Sequence, residues 1–538
     1  MSHQHQNNRK GRTIENTEAH ANDHKTWNRR DFLQSTGIFA AGLAATVNGV
    51  PLYAMGTADH FGPLSALETD RTLVLIQLRG GNDGLNTVID RFNSEYYNLR
   101  PTLAIPESNL WALDQKTGMS NQMIDLKPMW EEDKMKIIQN VGYPHPNYSH
   151  FRSSDIWATA SDTSEYKKDG WIGRYIDYDM PAFVDAQPTV PPALQIGVQT
   201  DLVFQGQNTN LALAISSPNE FYKLAVSGQL YDLSSLDQTP ADRSLAYIRQ
   251  VANSAFRYSQ SISNAYNKGR NEVNYPDTNL AQQLAIVAKL IKGRLGTKVF
   301  MVYIDGFDTH ANQNNNHPIL LQRISTAISA FYKDLAKQSM DDKVLGMTFS
   351  EFGRTIYENG SAGTDHGTSA PMLLFGKGLG KGIVGNPPDL INTDQYGDPL
   401  FETDFRDVYA SVLQNWLGMS PEVSDYIIGN DRTPIDGLVP VKNPPVGSEE
   451  FGALLGHKIS ADDKDILQIY FSILQEGPVI LEILDRSGQV IRPLLNGFKL
   501  KGSHTLDIHL KKFQLHPGYY QYRLKTGGKV YQRDLVVL

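Results

Sequence analysis

Two hydrophobic rhythms divide this chain. Between residue 71 and about residue 440, unbroken apolar runs alternate with stretches that are apolar at every third or fourth position. Beyond that point, short runs are punctuated by glycine turns. Residues 72–78 (Thr-Leu-Val-Leu-Ile-Gln-Leu) form an apolar run of strand length, which fits a strand covered on both faces. It ends in Arg79-Gly80-Gly81-Asn82-Asp83-Gly84, a tight turn that places a carboxylate at the strand's C-terminal end. Farther on, Leu280, Leu284, Val287, Ala288 and Ile291 share one helical face, and residues 298–304 read as a buried strand. Leu320, Ile324, Ala327, Ile328, Phe331 and Leu335 then mark a second helix, before a strand at 344–349. Strand, helix, strand at these lengths is a βαβ unit, which requires parallel strands. Residues 372–375 make a further short strand. Leu245, Ile248, Val251 and Phe256 predict a helix within 241–266, and 205–278 reads as an insertion or cap.

Pro440-Val441-Lys442-Asn443-Pro444-Pro445-Val446-Gly447 has linker composition. After it, strands are expected at 479–484, 489–491, 505–510, 518–524 and 531–538. Asp485-Arg486-Ser487-Gly488 and Thr526-Gly527-Gly528 serve as turns, giving the spacing of a small β-sandwich. At the other end, residues 1–28 are polar and have the composition of a disordered segment. Asn28-Arg29-Arg30-Asp31-Phe32-Leu33-Gln34 follows, and then a weakly apolar run over 38–53. Paired arginines, Phe-Leu at fixed offset and a mild apolar core read as a twin-arginine export signal. The bland alternative is a basic turn before a buried helix. The run is too short and too rich in glycine and alanine to span a membrane, so no transmembrane segment is expected in the mature protein. The expected division is 1–55 leader, 56–440 α/β domain, 441–456 linker and 457–538 β-sandwich.

Composition narrows the chemistry. At 538 residues the chain exceeds one ordinary core. It contains no cysteine, which excludes disulfides, thiolate metal sites and a cysteine nucleophile. A formal net charge of -8 argues against a nucleic-acid partner, because phosphate-backbone binders carry a basic stripe.

Polar clusters sit just beyond or just before the apolar strands. Asp308-Thr309-His310 and Asp365-His366-Gly367 each pair a carboxylate with an imidazole, the usual ligands of hard-to-borderline divalent metals. Glu351 ends a buried strand; its bland alternative is a loop carboxylate paired with Arg354. Asp83 sits in Asn-Asp-Gly, which is also ordinary turn chemistry. Ser149, ahead of an expected helix, reads equally as that helix's N-cap or as a nucleophile, since a helix N-terminus beside a metal favours anions and a bound metal activates a hydroxyl. Ligands of open α/β sheets gather at the strands' C-terminal edge, so a shared site is expected there.

Taken together, residues 78–85 (Leu-Arg-Gly-Gly-Asn-Asp-Gly-Leu), Ser149-His150-Phe151, Gly306-Phe307-Asp308-Thr309-His310, Phe349-Ser350-Glu351-Phe352-Gly353-Arg354-Thr355 and Gly363-Thr364-Asp365-His366-Gly367 resemble the uncharacterised domain family numbered 1501. Its members look like alkaline phosphatases and sulfatases. The resemblance covers about residues 70–420 and implies a three-layer α/β/α fold with a mostly parallel sheet. Carried over, Asp308 and His310 resemble one metal's ligands, with His366 as their histidine partner. Asp83 and Glu351 resemble the second metal's carboxylates, and Ser149 the nucleophile. The Asp308–His310 spacing is shorter than the family's usual Asp-x-x-x-His, and Asp365-His366 follows a loop rather than a strand. The implied cofactor is therefore one or two divalent ions (zinc, calcium or manganese). Residues 457–538 resemble a type IX secretion sorting domain, so the export partners implied are the twin-arginine and type IX machineries.

The reading that follows is an exported metal-dependent hydrolase acting on phosphate or sulfate esters, at the periplasm, the cell surface or outside the cell. Arg354 or Arg152 would neutralise the ester's equatorial oxygens. The alternative is a non-catalytic surface protein that binds a glycan or partner. A further alternative is a hydrolase that attacks with metal-activated water, leaving Ser149 only to cap its helix.

Overall fold

The computed structural model describes residues 45–47, 50–52, 71–179, 188–206, 210–226, 256, 258–419, 421–429, 432–441, 455–459, 466–473, 476–485, 489–500, 502–513, 515, 518–526 and 529–537. The twin-arginine motif, residues 227–255 of the expected cap and most of the linker lie outside them. Ala45–Val47 and Val50–Leu52 pair as a short antiparallel hairpin. The chain divides into two compact units. One comprises Met1–Leu417 and Ile427–Val441; the other comprises Gly418–Tyr426 and Lys442–Leu538.

The first unit is built on a nine-stranded sheet. Its strands are β1 (Thr72–Arg79), β2 (Met135–Gly142), β3 (Ala193–Ile196), β4 (Ala212–Ile215), β5 (Val299–Asp305), β6 (Val344–Phe349), β7 (Ala370–Phe375), β8 (Gly382–Val384) and β9 (Thr403–Asp404). The order is β8-β2-β7-β6-β1-β5-β3-β4, with β9 also on β2. β1 lies between β6 and β5 and runs parallel to both, as the βαβ pattern requires. β7 alone is reversed, being antiparallel to β6 and to β2. β4 falls inside the segment expected to be an insertion, yet it forms the sheet's edge.

β1 and β6 are buried at nearly every position. Successive strand side chains face opposite ways, so both faces of the sheet centre are covered. Helices α3 (Asn279–Lys292) and α4 (Gln313–Ala336) realise the two expected amphipathic patterns. Leu280, Leu284, Val287 and Ala288 of α3, and Leu320, Ile324, Ala327, Ile328, Phe331 and Leu335 of α4, are all buried. Two earlier helices, α1 (His150–Thr159) and α2 (Trp171–Asp179), follow β2. Among the described residues, no helix is long and apolar enough to cross a membrane.

The second unit carries an antiparallel β region. β10 (Leu455–Ile459), β11 (Ile466–Ile473) and β14 (Gly502–His509) form one sheet. β12 (Gly477–Leu484), β13 (Val490–Lys499), β15 (Gly518–Thr526) and β16 (Lys529–Val537) form the other. Leu467, Ile469 and Phe471 from the first sheet share a core with Val479, Leu481, Ile483, Tyr522 and Leu524 from the second. A shared core between two antiparallel sheets is a sandwich.

Candidate metal centre

β1, β5 and β6 deliver their exit loops to one rim. β7 runs the other way, so its N-terminal end reaches that same rim, and Asp365-His366 arrives from the strand's start rather than its finish. The chain leaves β1 through Gly80 at φ +118° and Gly81 at φ +81°. These values are accessible to glycine and costly for other residues. A methyl group on Gly80 would also collide with the backbone of Phe307 and Asp308. Gly80 thus lets two exit loops touch.

Asp308 is the hub. Its Oδ1 lies 3.0 Å from His310 Nε2, 3.3 Å from His366 Nε2, 3.5 Å from His150 Nε2 and 2.7 Å from Arg354 Nη2. The Nε2 atoms of His310 and His366 are themselves 3.0 Å apart. Burial disfavours charge on Asp308, but hydrogen bonds from the three histidines and Arg354 outweigh it. They hold its pKa far below the usual carboxylate range. His150 is pressed down by burial and held up by Asp308 and Glu351, which leaves it raised to about 9. Burial dominates at His366 and lowers it to about 4.

Every imidazole is fixed from behind. His150 Nδ1 meets Glu351 Oε1 at 2.8 Å, His310 Nδ1 meets Asp365 Oδ1 at 3.0 Å, and His366 Nδ1 meets the Tyr148 carbonyl at 2.7 Å. With a metal bound, the proton would sit on Nδ1 and be donated outward, leaving the Nε2 lone pair directed at the shared point. An outer carboxylate or carbonyl on the far ring nitrogen is the standard support for a metal-bound histidine. Tetrahedral zinc–nitrogen bonds of about 2.0–2.1 Å would set neighbouring ligand atoms about 3.3 Å apart, close to the spacings seen here. His150 Nε2 is buried and stands 3.5 Å from Asp308 Oδ1, too far for a well-formed hydrogen bond, and a cation at this point would satisfy it. His150, Asp308 and His366 each offer one ligand atom, all within 4.8 Å of one another, and His310 stands beside them. Asp308, 41% exposed, keeps one side of the cluster open to solvent. Catalytic ions need such an open position; structural ions are enclosed.

The chain matches the family described as Protein of unknown function (DUF1501) over residues 134–422 of 538. It belongs to that family. The family segment carries His150, Asp308, His310, Glu351, Arg354, Asp365 and His366, while Asp83 lies ahead of it. No curated protein matches the sequence. Similar solved structures include the PsFucS1 sulfatase from Pseudoalteromonas sp., at 10% identity and TM-score 0.32, covering 82% of this chain and 84% of that one. They also include an alkaline phosphatase from the Antarctic bacterium TAB5, at 11% identity and TM-score 0.24, covering 58% and 94%. A protein in the alkaline phosphatase superfamily from Vibrio parahaemolyticus is a third, at 9% identity and TM-score 0.27, covering 91% and 96%.

Of the family-segment residues expected to ligate metal, Asp308, His310 and His366 come together around one point. Glu351 and Asp365 stand one layer back, each on an imidazole. Glu351 does not pair with Arg354; its Oε1 also accepts the Gly80 N–H at 2.8 Å.

Asp83 is placed differently from the expected second-metal ligand. It is fully buried and bonds Arg100 at 2.7 Å, with Gln313 as a second donor to the same oxygen. Burial opposes its charge, but Arg100 and His317 outweigh that and lower its pKa. The contacts of Asp83 are to Arg100 and Gln313, and those of Glu351 are to His150 and Gly80, so the two carboxylates expected to share a second metal face different partners.

Both arginines donate to backbone carbonyls. Arg354 donates to the carbonyls of Gly80, Gly81, Phe307 and Thr364 as well as to Asp308. It is a girder that ties the exit loops and aims Asp308. Arg152 donates to the carbonyls of Asp162, Thr163 and Glu165 and lies 4.1 Å from the centre of the Tyr166 ring.

Ser149 occupies the N-cap position of α1, yet its side chain makes no capping bond. Its own N–H is taken by Asn147 Oδ1 at 2.9 Å. A candidate ligand that the sequence reading did not name is His150, the first residue of α1. Its signal was its place in Ser149-His150-Phe151.

Proposed function

We propose that the chain is an exported hydrolase that holds one divalent metal ion on His150, Asp308, His310 and His366 and cleaves phosphate or sulfate esters. The observation that carries the reading is the convergence of three outward-anchored imidazoles on one exposed carboxylate. Three nitrogens and one oxygen suit zinc or manganese; calcium takes six to eight oxygen ligands. His150, Asp308, His310 and His366 would hold such an ion, which would polarise the ester and stabilise the charge that develops as the bond breaks.

The chain's own residues supply the rest. Ser149 carries a hydroxyl that its helix does not use, next to ligand His150. The first N–H groups of α1 favour an anion there. In the reaction, the Ser149 oxygen bonds to phosphorus or sulfur as the ester oxygen leaves with its electron pair. The departing alcohol takes up the proton lost from Ser149. Water then breaks the bond to Ser149 and restores the hydroxyl. Arg354 keeps Asp308 in place and does not touch the ester.

Export rests on the sequence alone, on the Arg29-Arg30 leader and the C-terminal sandwich. Under this reading the twin-arginine and type IX machineries deliver the protein to the periplasm, the surface or beyond.

The test is turnover. Full-length protein loaded with zinc or manganese should hydrolyse aryl phosphates or aryl sulfates, and Ser149→Ala should abolish the activity. Retained activity in Ser149→Ala would transfer the attack to water. No turnover with any divalent metal would remove the hydrolase reading.

A further inference from the structure

The charges around the centre bear on which ester it accepts; the inference rests on the hydrolase reading above. Three carboxylates belong to the cluster: Asp308 at its hub, Glu351 on His150 and Asp365 on His310. One guanidinium, Arg354, pairs with Asp308. Imidazoles that ligate a metal are neutral. Three negative charges against one guanidinium and a divalent ion leave the centre with no net charge.

No surplus cation comes from the two arginines that the sequence sets beside it. Arg354 is already counted in that balance, held by four loop carbonyls and Asp308, and Arg152 keeps its charge but is turned to the loop beyond α1, where its Nη2 donates to three carbonyls and its guanidinium lies 4.1 Å from the centre of the Tyr166 ring. A phosphate monoester brings two charges to such a site, so among the described residues named above the second meets carboxylates rather than an uncommitted cation. Sulfate monoesters and phosphodiesters bring only one.

We infer that the substrate is an ester whose reacting group carries a single negative charge, a sulfate monoester or a phosphodiester, and that phosphate monoesters are disfavoured. One unmatched charge at ~6 Å, in a setting between protein surface and water, is worth on the order of a tenfold change in affinity.

Binding of unreactive analogues separates this from turnover. Calorimetric titrations of the metal-loaded full chain would use benzenesulfonate and the monomethyl ester of phenylphosphonate as monoanions. Phenylphosphonate, at about pH 8.5, serves as the dianion. Both monoanions should bind about tenfold more tightly than phenylphosphonate. If only one binds, it names the source as sulfate or phosphodiester.

Asp365→Asn removes one negative charge and should narrow the gap several-fold. Phe151 is 53% exposed and adjoins His150, so Phe151→Arg adds a cation without opening the core and should narrow the gap even where Asp365→Asn fails to fold. Equal or tighter binding of phenylphosphonate, in a protein that still hydrolyses aryl esters, would overturn this inference and leave the hydrolase reading standing. Absence of both binding and turnover would take down the two together.

Discussion

Glu351 never reaches the proposed ion, yet its replacement should weaken metal binding. One oxygen, Oε1, accepts from both His150 Nδ1 and the Gly80 N–H, each at 2.8 Å. It therefore fixes the ring of one ligand and joins the β1 and β6 exit loops. Outer partners of this kind are worth about 10–100-fold in metal affinity, or about 1.4–2.8 kcal/mol. Glu351→Gln keeps an oxygen that can accept from both groups and loses only the charge, so a loss of about tenfold is expected. Glu351→Ala frees the ring and strands a buried N–H. It should approach a ~100-fold loss of affinity, with about 1–3 kcal/mol of stability lost as well. The assay is competition for zinc against a chromophoric chelator, run beside circular dichroism to count only folded protein. If both variants bind zinc as tightly as the parent, His150 is not a ligand and the proposed centre is wrong.

Three other substitutions probe separate parts of the account. Asp83→Asn leaves Arg100 buried without its counter-charge, both side chains being 0% exposed. Guanidinium titration should show a loss of about 3–5 kcal/mol. The folded fraction should keep its full metal content, and a lost ion would make Asp83 a ligand after all. Gly80→Ala, at φ +118° and against the Asp308 backbone, should lower both the melting temperature and zinc affinity. Normal behaviour in both would show that the two loops do not meet as described. In the C-terminal unit, burial depresses His457 from 6.5 to about 4. The unfolded chain then binds a proton that the folded chain refuses. Stability is full above about pH 6.5 and falls as pH drops toward 4, by about 3 kcal/mol at most. His457→Gln should flatten that slope in pH-dependent melting of the full chain, and an unchanged slope would assign it to other groups.

The sheet's centre was legible because β1, β5 and β6 are unbroken apolar runs, a pattern that only strands covered on both faces require. β2 escaped notice because Gln139 and Asn140 interrupt it. Both are buried, and Asn140 is satisfied by the Leu400 carbonyl at 2.7 Å and the Ser369 hydroxyl at 2.6 Å, partners more than 200 residues away. Missing β2 left the loop that carries Ser149 and His150 without a strand to set it on the rim. The reversal of β7 was equally hidden, since hydrophobic pattern does not encode strand direction. That reversal is why Asp365-His366, which follows a loop, still reaches the site.

Residue type alone pointed to Asp308, His310 and His366, whose side chains lie together in the structure, but it could not rank the carboxylates. Asp83, Glu351 and Asp365 differ only in what stands next to them: a buried guanidinium for the first, an imidazole nitrogen for the other two. A guanidinium near a cluster suggests anion binding; here Arg354 donates to four carbonyls and Asp308, and Arg152 Nη2 to three carbonyls, partners that only the folded loops bring into reach.

The most direct measurement is the metal content of the purified full-length protein, by inductively coupled plasma mass spectrometry after dialysis against zinc and manganese. The account predicts one tightly held ion per chain, lost in His366→Ala and retained in Asp83→Asn. Two ions per chain, or one that survives loss of His366 and departs with Asp83, would contradict it.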